Sequence, residues 1–119
     1  MEGFPKGSEP HSYVFRNQKD GSCTDVSAEA GLKRTGWGSG VCAGDYDNDG
    51  DIDIFVSKSG GTDRLFRNNG NGTFGEVATS AGVADAGDGL GPAWGDYNND
   101  GHLDLFLAQN GTNRLFRNN

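Results

Sequence analysis

Apolar residues in this chain recur in short alternating runs rather than in helical stripes. Ile52, Ile54 and Val56 alternate with Asp53 and Phe55, and Leu103, Leu105 and Leu107 alternate with Asp104 and Phe106. A period of two over such short runs predicts strands, and strands apolar on both faces suit a sheet covered on either side. The first run extends to predicted strands over residues 41–46, 52–57, 64–68 and 74–78. The second gives strands over 92–97, 103–108 and 114–118, and two more fall at 13–17 and 24–27. The chain reads as all-β.

The strands repeat. A shift of 51 places Phe15 on Phe66, Arg16 on Arg67, Asn17 on Asn68, Gly40 on Gly91 and Asp45 on Asp96. Residues 64–69 (RLFRNN) return letter for letter at 114–119. A strand pattern with a period near 50 predicts stacked units that cannot bury both sheet faces alone, and β-propeller blades of four antiparallel strands meet that requirement.

Between the first two strands of each unit lies an acidic loop, residues 45–53 (DYDNDGDID) and 96–104 (DYNNDGHLD). Oxygen-bearing side chains occupy loop positions one, three, five and nine around a glycine at position six. Calcium takes about six to eight oxygens at about 2.3–2.6 Å, which alternate residues of a tight loop can supply. The expected ligands are Asp45, Asp47, Asp49 and Asp53 with the carbonyl of Asp51, and Asp96, Asn98, Asp100 and Asp104 with the carbonyl of His102. Two Ca²⁺ ions per chain follow. An EF-hand is excluded, because it needs a Glu at position twelve between two helices, and Val56 and Leu107 stand there in strands. Asp, Asn and Gly also favour plain turns. Two copies in one register argue for a shared chemical task.

The segment from Gly40 to Asn71, followed by Gly-Thr-Phe at 72–74, resembles the FG-GAP or VCBS repeat of integrin alpha-chain propellers and bacterial surface proteins. The combination of GDYDNDGDID with LFRNN and an Ala-Gly-Val or Ala-Gly-Leu step resembles the propellers of cartilage acidic proteins and their bacterial relatives. The resemblance covers about residues 13–119. It implies blades whose calcium loop joins the innermost strand to the second, with ligands at the positions already named. Ser57-Lys58-Ser59 replaces the Gly-Ala-Pro of integrin repeats, so integrin-type partners do not carry over.

Residues 1–12 are then expected to form a flexible tail, 13–39 a partial blade holding third and outer strands and a connection, 40–78 a full blade, and 79–119 a connection and an incomplete blade. Propellers close with about four to eight blades, so two blades of sequence predict either a ring completed by homo-oligomerisation of three or four copies or a piece of a longer protein.

Eight of the 17 acidic residues are loop aspartates, and discounting them turns the net charge of −7 into +1. The acidity therefore belongs to the metal loops and implies no cationic partner. No basic stripe suggests nucleic acid, and no apolar run is long enough to span a membrane. The first twelve residues lack an apolar signal region. Cys23 and Cys42 have no metal or redox spacing; small buried hydrophobes are the expected role, with a disulfide between them left open. His11 falls in the tail, and the His102 side chain is expected to point away from its loop. Ser39 and Ser57 lack a histidine partner, so no catalytic residue is assigned. The aligned Arg16, Arg67 and Arg117 read as structural, holding a carboxylate or carbonyl of the adjacent blade, with an anion-binding ring as the alternative, and Trp37 and Trp94 read as buried packing.

These features predict a non-catalytic, calcium-binding interaction or adhesion scaffold, extracellular or at the cell surface. A lectin using inter-blade pockets is the alternative, and an enzyme formed only in an assembled ring is the remote one.

Overall fold

A computed structural model of the chain describes residues 11–33 and 36–119. Among the described residues nine strands form three antiparallel sheets. The first is a hairpin of β1 (Phe15–Asn17) and β2 (Cys23–Asp25). The second has four strands in chain order, β3 (Gly38–Gly44), β4 (Asp53–Lys58), β5 (Arg64–Asn68) and β6 (Phe74–Glu76). The third has β7 (Gly89–Gly95), β8 (Asp104–Gln109) and β9 (Arg114–Phe116). Among the described residues no helix is long and apolar enough to cross a membrane.

The alternation in the sequence builds the core directly. Register pairing aligns Cys42, Phe55 and Leu65 in one row across β3, β4 and β5. That row faces Trp94, Leu105 and Phe116, which are aligned across β7, β8 and β9. Phe55, Leu65, Leu105 and Leu107 are fully buried in this seam. The opposite row of the second sheet, with Ile54, Val56 and Phe66, packs against Val14, Ala30 and Leu32. Burying a Leu or Phe side chain contributes roughly 1.5–3 kcal/mol, so these two seams hold the sheets together.

Strand limits differ from those predicted. β3 and β7 begin at Gly38 and Gly89, earlier than expected, each with a register shift one residue later. Poor strand formers are tolerated there because the two strands pack closely. A Cβ added to Gly40 would lie 2.7 Å from Cδ of Pro92 and 3.1 Å from Cα of Gly91. The predicted strand over 74–78 is cut short, because Ala78–Ala81 forms one helical turn, α1. Glu76 Oε1 accepts the N–H groups of Leu65 (3.2 Å) and Ala78 (2.9 Å), turning the chain out of the sheet.

The first ten residues of the expected tail lie outside the described residues. His11 does not fit the expectation of a disordered tail: it is half-buried and its ring lies 4.3 Å from that of Tyr13. Both cysteines are free, and Cys23 is exposed rather than buried because it lies on the two-stranded hairpin. Cys42 does pack against the main seam, and burial pushes its thiol up to about 11. Trp37 is exposed, not core, while Trp94 stacks with Tyr46 at 6.0 Å.

Candidate metal sites

The loop joining β3 to β4 and the loop joining β7 to β8 close through the same hydrogen bonds. Asp45 accepts the N–H groups of Asp49 (3.1 Å) and Gly50 (2.8 Å), and Asp96 accepts those of Asp100 (3.1 Å) and Gly101 (2.8 Å). Asp49 accepts from Asp51 N–H at 2.9 Å, and Asp100 from His102 N–H at 3.0 Å. The loops need left-handed backbone twice each. Asn48 and Asn99 both have φ 58°, and Gly50 and Gly101 have φ 93° and 88°. Glycine takes that conformation without strain and asparagine tolerates it, which accounts for both types at these places.

The ninth loop residue is the anchor. Asp53 is completely buried, and its carboxylate accepts Tyr46 N–H at 3.2 Å and Asn68 N–H at 2.8 Å. Asp104 repeats this with Tyr97 (3.2 Å) and Asn118 (2.8 Å). Each carboxylate is thereby fixed by its own loop and by an asparagine N–H, Asn68 at the end of β5 and Asn118 two residues past β9.

The carboxylates converge. Oxygens of Asp45, Asp47, Asp49 and Asp53 all lie within 4.8 Å of one another, as do those of Asp96, Asp100 and Asp104. Ligands about 2.3–2.6 Å from one cation stand at most about 4.6–5.2 Å apart, so the spacing fits a single calcium ion in each loop. Crowding shows in the first loop. Desolvation, with the charges of Asp53 and Asp49, pushes the Asp47 carboxyl up to about 6. Burial likewise raises Asp53, against the Asn68 and Tyr46 hydrogen bonds. In the second loop the His102 N–H, aided by the Asn98 side chain, holds the Asp100 carboxyl below its ordinary value. A cation would relieve the crowding in the first loop.

The remaining expected residues lie nearby. Asp51 and His102 occupy the turn, and the His102 ring leaves its own loop to meet Asn48 of the other, Nδ1 to Nδ2, at 3.1 Å. The two loops therefore touch. Arg16, Arg67 and Arg117 are exposed, and Arg117 Nε donates to Asn119 rather than to a neighbouring sheet. The asparagine beside the second and third of these arginines carries the structural load instead.

A polar cluster at the other end of the strands had no sequence signal. Asp63 is buried; its Oδ1 accepts Lys58 N–H at 2.8 Å, and its Oδ2 has no hydrogen-bond partner. Its own N–H donates to the Asp85 carbonyl at 2.9 Å, and the Asp85 carboxylate holds Arg114 at 3.0 Å.

Sequence comparison agrees with this repeated geometry. The family described as FG-GAP-like repeat matches residues 7–56 and again 45–107. Cartilage acidic protein 1 of Mus musculus is 43% identical over 94 residues, which is 77% of this chain and 15% of that protein. The proteins of the same name from Xenopus tropicalis and Homo sapiens are 40% identical over 95 residues and 42% over 94, covering 78% and 77% of this chain. The chain spans 15% and 14% of those two relatives.

Proposed function

Because this chain belongs to the FG-GAP-like repeat family, we propose that it is a calcium-stabilised propeller module, a non-catalytic scaffold for interaction or adhesion outside the cell or at its surface. On this reading β3 to β6 are one blade, and β7 to β9 are a blade lacking its outer strand. The hairpin β1–β2 supplies the third and outer strands of another. Further blades, from other copies or from a longer chain, complete the ring. Asp45, Asp47, Asp49 and Asp53 with the carbonyl of Asp51 hold one calcium ion. Asp96, Asn98, Asp100 and Asp104 with the carbonyl of His102 hold the second.

The observation that carries the reading is the convergence of carboxylate oxygens within 4.8 Å in two loops of the same sequence register. Like charges so close repel without a counterion, so an ion that binds the folded loops stabilises the fold by mass action. Calorimetric titration of metal-free protein with calcium is expected to give two sites, and chelation to lower the melting temperature markedly. No heat of binding together with a melting curve unmoved by chelator would overturn it.

A lectin reading is favoured by one cavity. About 490 Å³ lies between the second and third sheets, lined by Tyr46, Trp94, Phe116 and Asn118 among others. Trp94 Nε1 is buried there without a hydrogen-bond partner. An aromatic face beside amide groups suits a sugar ring. A glycan array probed with calcium-loaded protein and a Trp94→Phe variant tests this: no glycan bound by the parent, or equal binding by both, removes the reading.

A further inference from the structure

Asparagine followed by glycine occurs at Asn69-Gly70, Asn71-Gly72 and Asn110-Gly111. At each place the glycine nitrogen can attack the preceding side-chain carboxamide, because glycine has no Cβ to obstruct the approach. The structure separates the three. Asn69 and Asn71 lie in the β5–β6 turn, and both are held. Asn69 Nδ2 donates to Thr73 Oγ1 at 3.1 Å, and Gly70 N–H donates to Asn68 Oδ1 at 2.9 Å. Gly70 also stands close to Asp51, whose Oδ2 would lie 3.0 Å from an added Cβ. Asn71 Oδ1 accepts the N–H of Thr73 at 3.1 Å and its hydroxyl at 2.5 Å. A carboxamide engaged in this way must give up such bonds before it can turn toward the next nitrogen.

Asn110 is held only by its backbone. It begins the turn between β8 and β9, where Asn110, Gly111 and Thr112 are all exposed. Its N–H donates to the Asp88 carbonyl at 3.0 Å, but among the described residues its side chain makes no hydrogen bond. A Cβ on Gly111 would meet nothing within 4 Å. This openness belongs to the turn and not to the end of the chain. In the equivalent β4–β5 turn Ser59 and Gly60 are exposed too, although Ser59 Oγ reaches Asp88 just ahead of β7 at 2.9 Å. The same two turns show that a longer backbone fits here. Lys58 N–H is bonded to Oδ1 of Asp63, five residues on, whereas Gln109 N–H is bonded to Oδ1 of Asn113, four residues on.

We propose that Asn110 is a site of spontaneous modification, selected by the fold from the three Asn-Gly pairs, at which the amide is converted to aspartate and isoaspartate. The Gly111 nitrogen gives its proton to hydroxide and bonds to Cγ of Asn110. The Cγ–Nδ2 bond breaks, and the nitrogen takes a proton from water and leaves as ammonia. Water then opens the cyclic succinimide. Addition at the side-chain carbonyl gives aspartate; addition at the main-chain carbonyl gives isoaspartate, whose backbone is longer by a methylene. Nothing is oxidised or reduced. Either product adds a negative charge near Asp88, and the longer turn of the first repeat shows that the sheet accepts the isoaspartyl form. Only the second repeat carries the site, because Ser59 stands at this place in the first.

Incubation of the full chain in warm, mildly alkaline buffer made with heavy-oxygen water, followed by peptide mapping, tests it. Acid carrying the heavy oxygen is expected at Asn110 about tenfold faster than at Asn69 or Asn71, the rate equivalent of one ordinary hydrogen bond given up. An isoaspartate-specific methyltransferase should modify the same peptide. Thr73→Val removes the hydroxyl that both Asn69 and Asn71 use, so their rates should rise toward that of Asn110. In urea the three rates should converge, since each asparagine is followed by glycine. Asn110→Gln should keep the parental melting temperature and abolish the fast product. No acid at Asn110, or equal or faster conversion at Asn69 or Asn71 in the folded chain, overturns the proposal. So does a preference for Asn110 that persists in urea, or a Thr73→Val chain whose rates at Asn69 and Asn71 do not move. The readout is the same whether or not the acidic loops hold calcium.

Discussion

The side-chain amide of Asn118 donates to the carbonyl of Tyr46 at 2.5 Å, crossing from the third sheet to the start of the first acidic loop. Its counterpart Asn68 stays within its own sheet, donating to the Ile52 carbonyl at 3.1 Å. The same backbone N–H holds the anchoring aspartate in both cases, but of the two asparagines it is Asn118 whose side chain reaches the acidic loop of the neighbouring sheet. Asn118→Ala keeps the backbone bond to Asp104 and loses the cross-sheet bond. Urea unfolding is expected to show a loss of about 1 kcal/mol, the ordinary net contribution of one such bond. An unchanged midpoint would mean that water replaces the amide at no cost.

The two loops differ in charge. The first offers four carboxylates, and the second offers three with the Asn98 amide. Affinity in such loops rises with ligand charge when rigidity is equal, and the shared hydrogen-bond pattern makes it so. The first loop should bind calcium more tightly. Calorimetry on Asp49→Ala and Asp100→Ala decides the order: the tighter site is expected to survive in Asp100→Ala, and its survival only in Asp49→Ala would reverse it.

Asp63 predicts a pH effect separate from the metal. Burial pushes its carboxyl up to about 6 from 3.8, the nearby Asp85 adding to the shift and the Lys58 N–H opposing it. The folded chain then keeps this proton where the unfolded chain has released it. Asp63 therefore costs stability as pH rises from about 4 to about 6, and the cost persists above that range. Asp63→Asn has no proton to lose. Its melting temperature relative to the parent is expected to climb through that window in the presence of calcium. Parallel curves would show that the Asp63 carboxyl titrates alike in both states.

Gly40 tests how closely the second and third sheets approach. Alanine there would drive its Cβ into Pro92 and the backbone of Gly91, neither of which is the end of a flexible side chain. Gly40→Ala is expected to lose about 1–3 kcal/mol in chemical unfolding, the usual cost of overpacking. A neutral result would show that the two sheets separate easily.

Much of this arrangement was legible in the sequence, because it depends on local rules. Alternation marked β4 and β8, and loop spacing alone singled out Asp45, Asp47, Asp49 and Asp53 as a group that converges in space. Contacts set by register or by a neighbouring sheet escaped. Gly38 and Ser39 read as connection but lie in β3, Ser39 at the register shift, held there by the packing of β7. The repeated Arg-Asn pairs drew attention to their arginines, whereas the backbone N–H groups of Asn68 and Asn118 do the anchoring. Nothing local distinguishes those amides until β5 and β9 lie beside the loops. The turn α1 escaped because Val77 gives its start no side-chain cap and the helix lasts only from Ala78 to Ala81. Asp63 carries no local signal, because it is buried where the connection around Asp85 pairs with its N–H.

Backbone N–H groups of both acidic loops hydrogen-bond the carboxylates of Asp45 and Asp96 and hold the loops closed. An incoming cation therefore meets a nearly finished ring of oxygens, and little conformational search remains between encounter and capture. The two loops should consequently load at similar speed, and their difference in affinity should lie in residence time. Stopped-flow release into a fluorescent chelator would then resolve two dissociation phases, the slower belonging to the loop of Asp45 to Asp53.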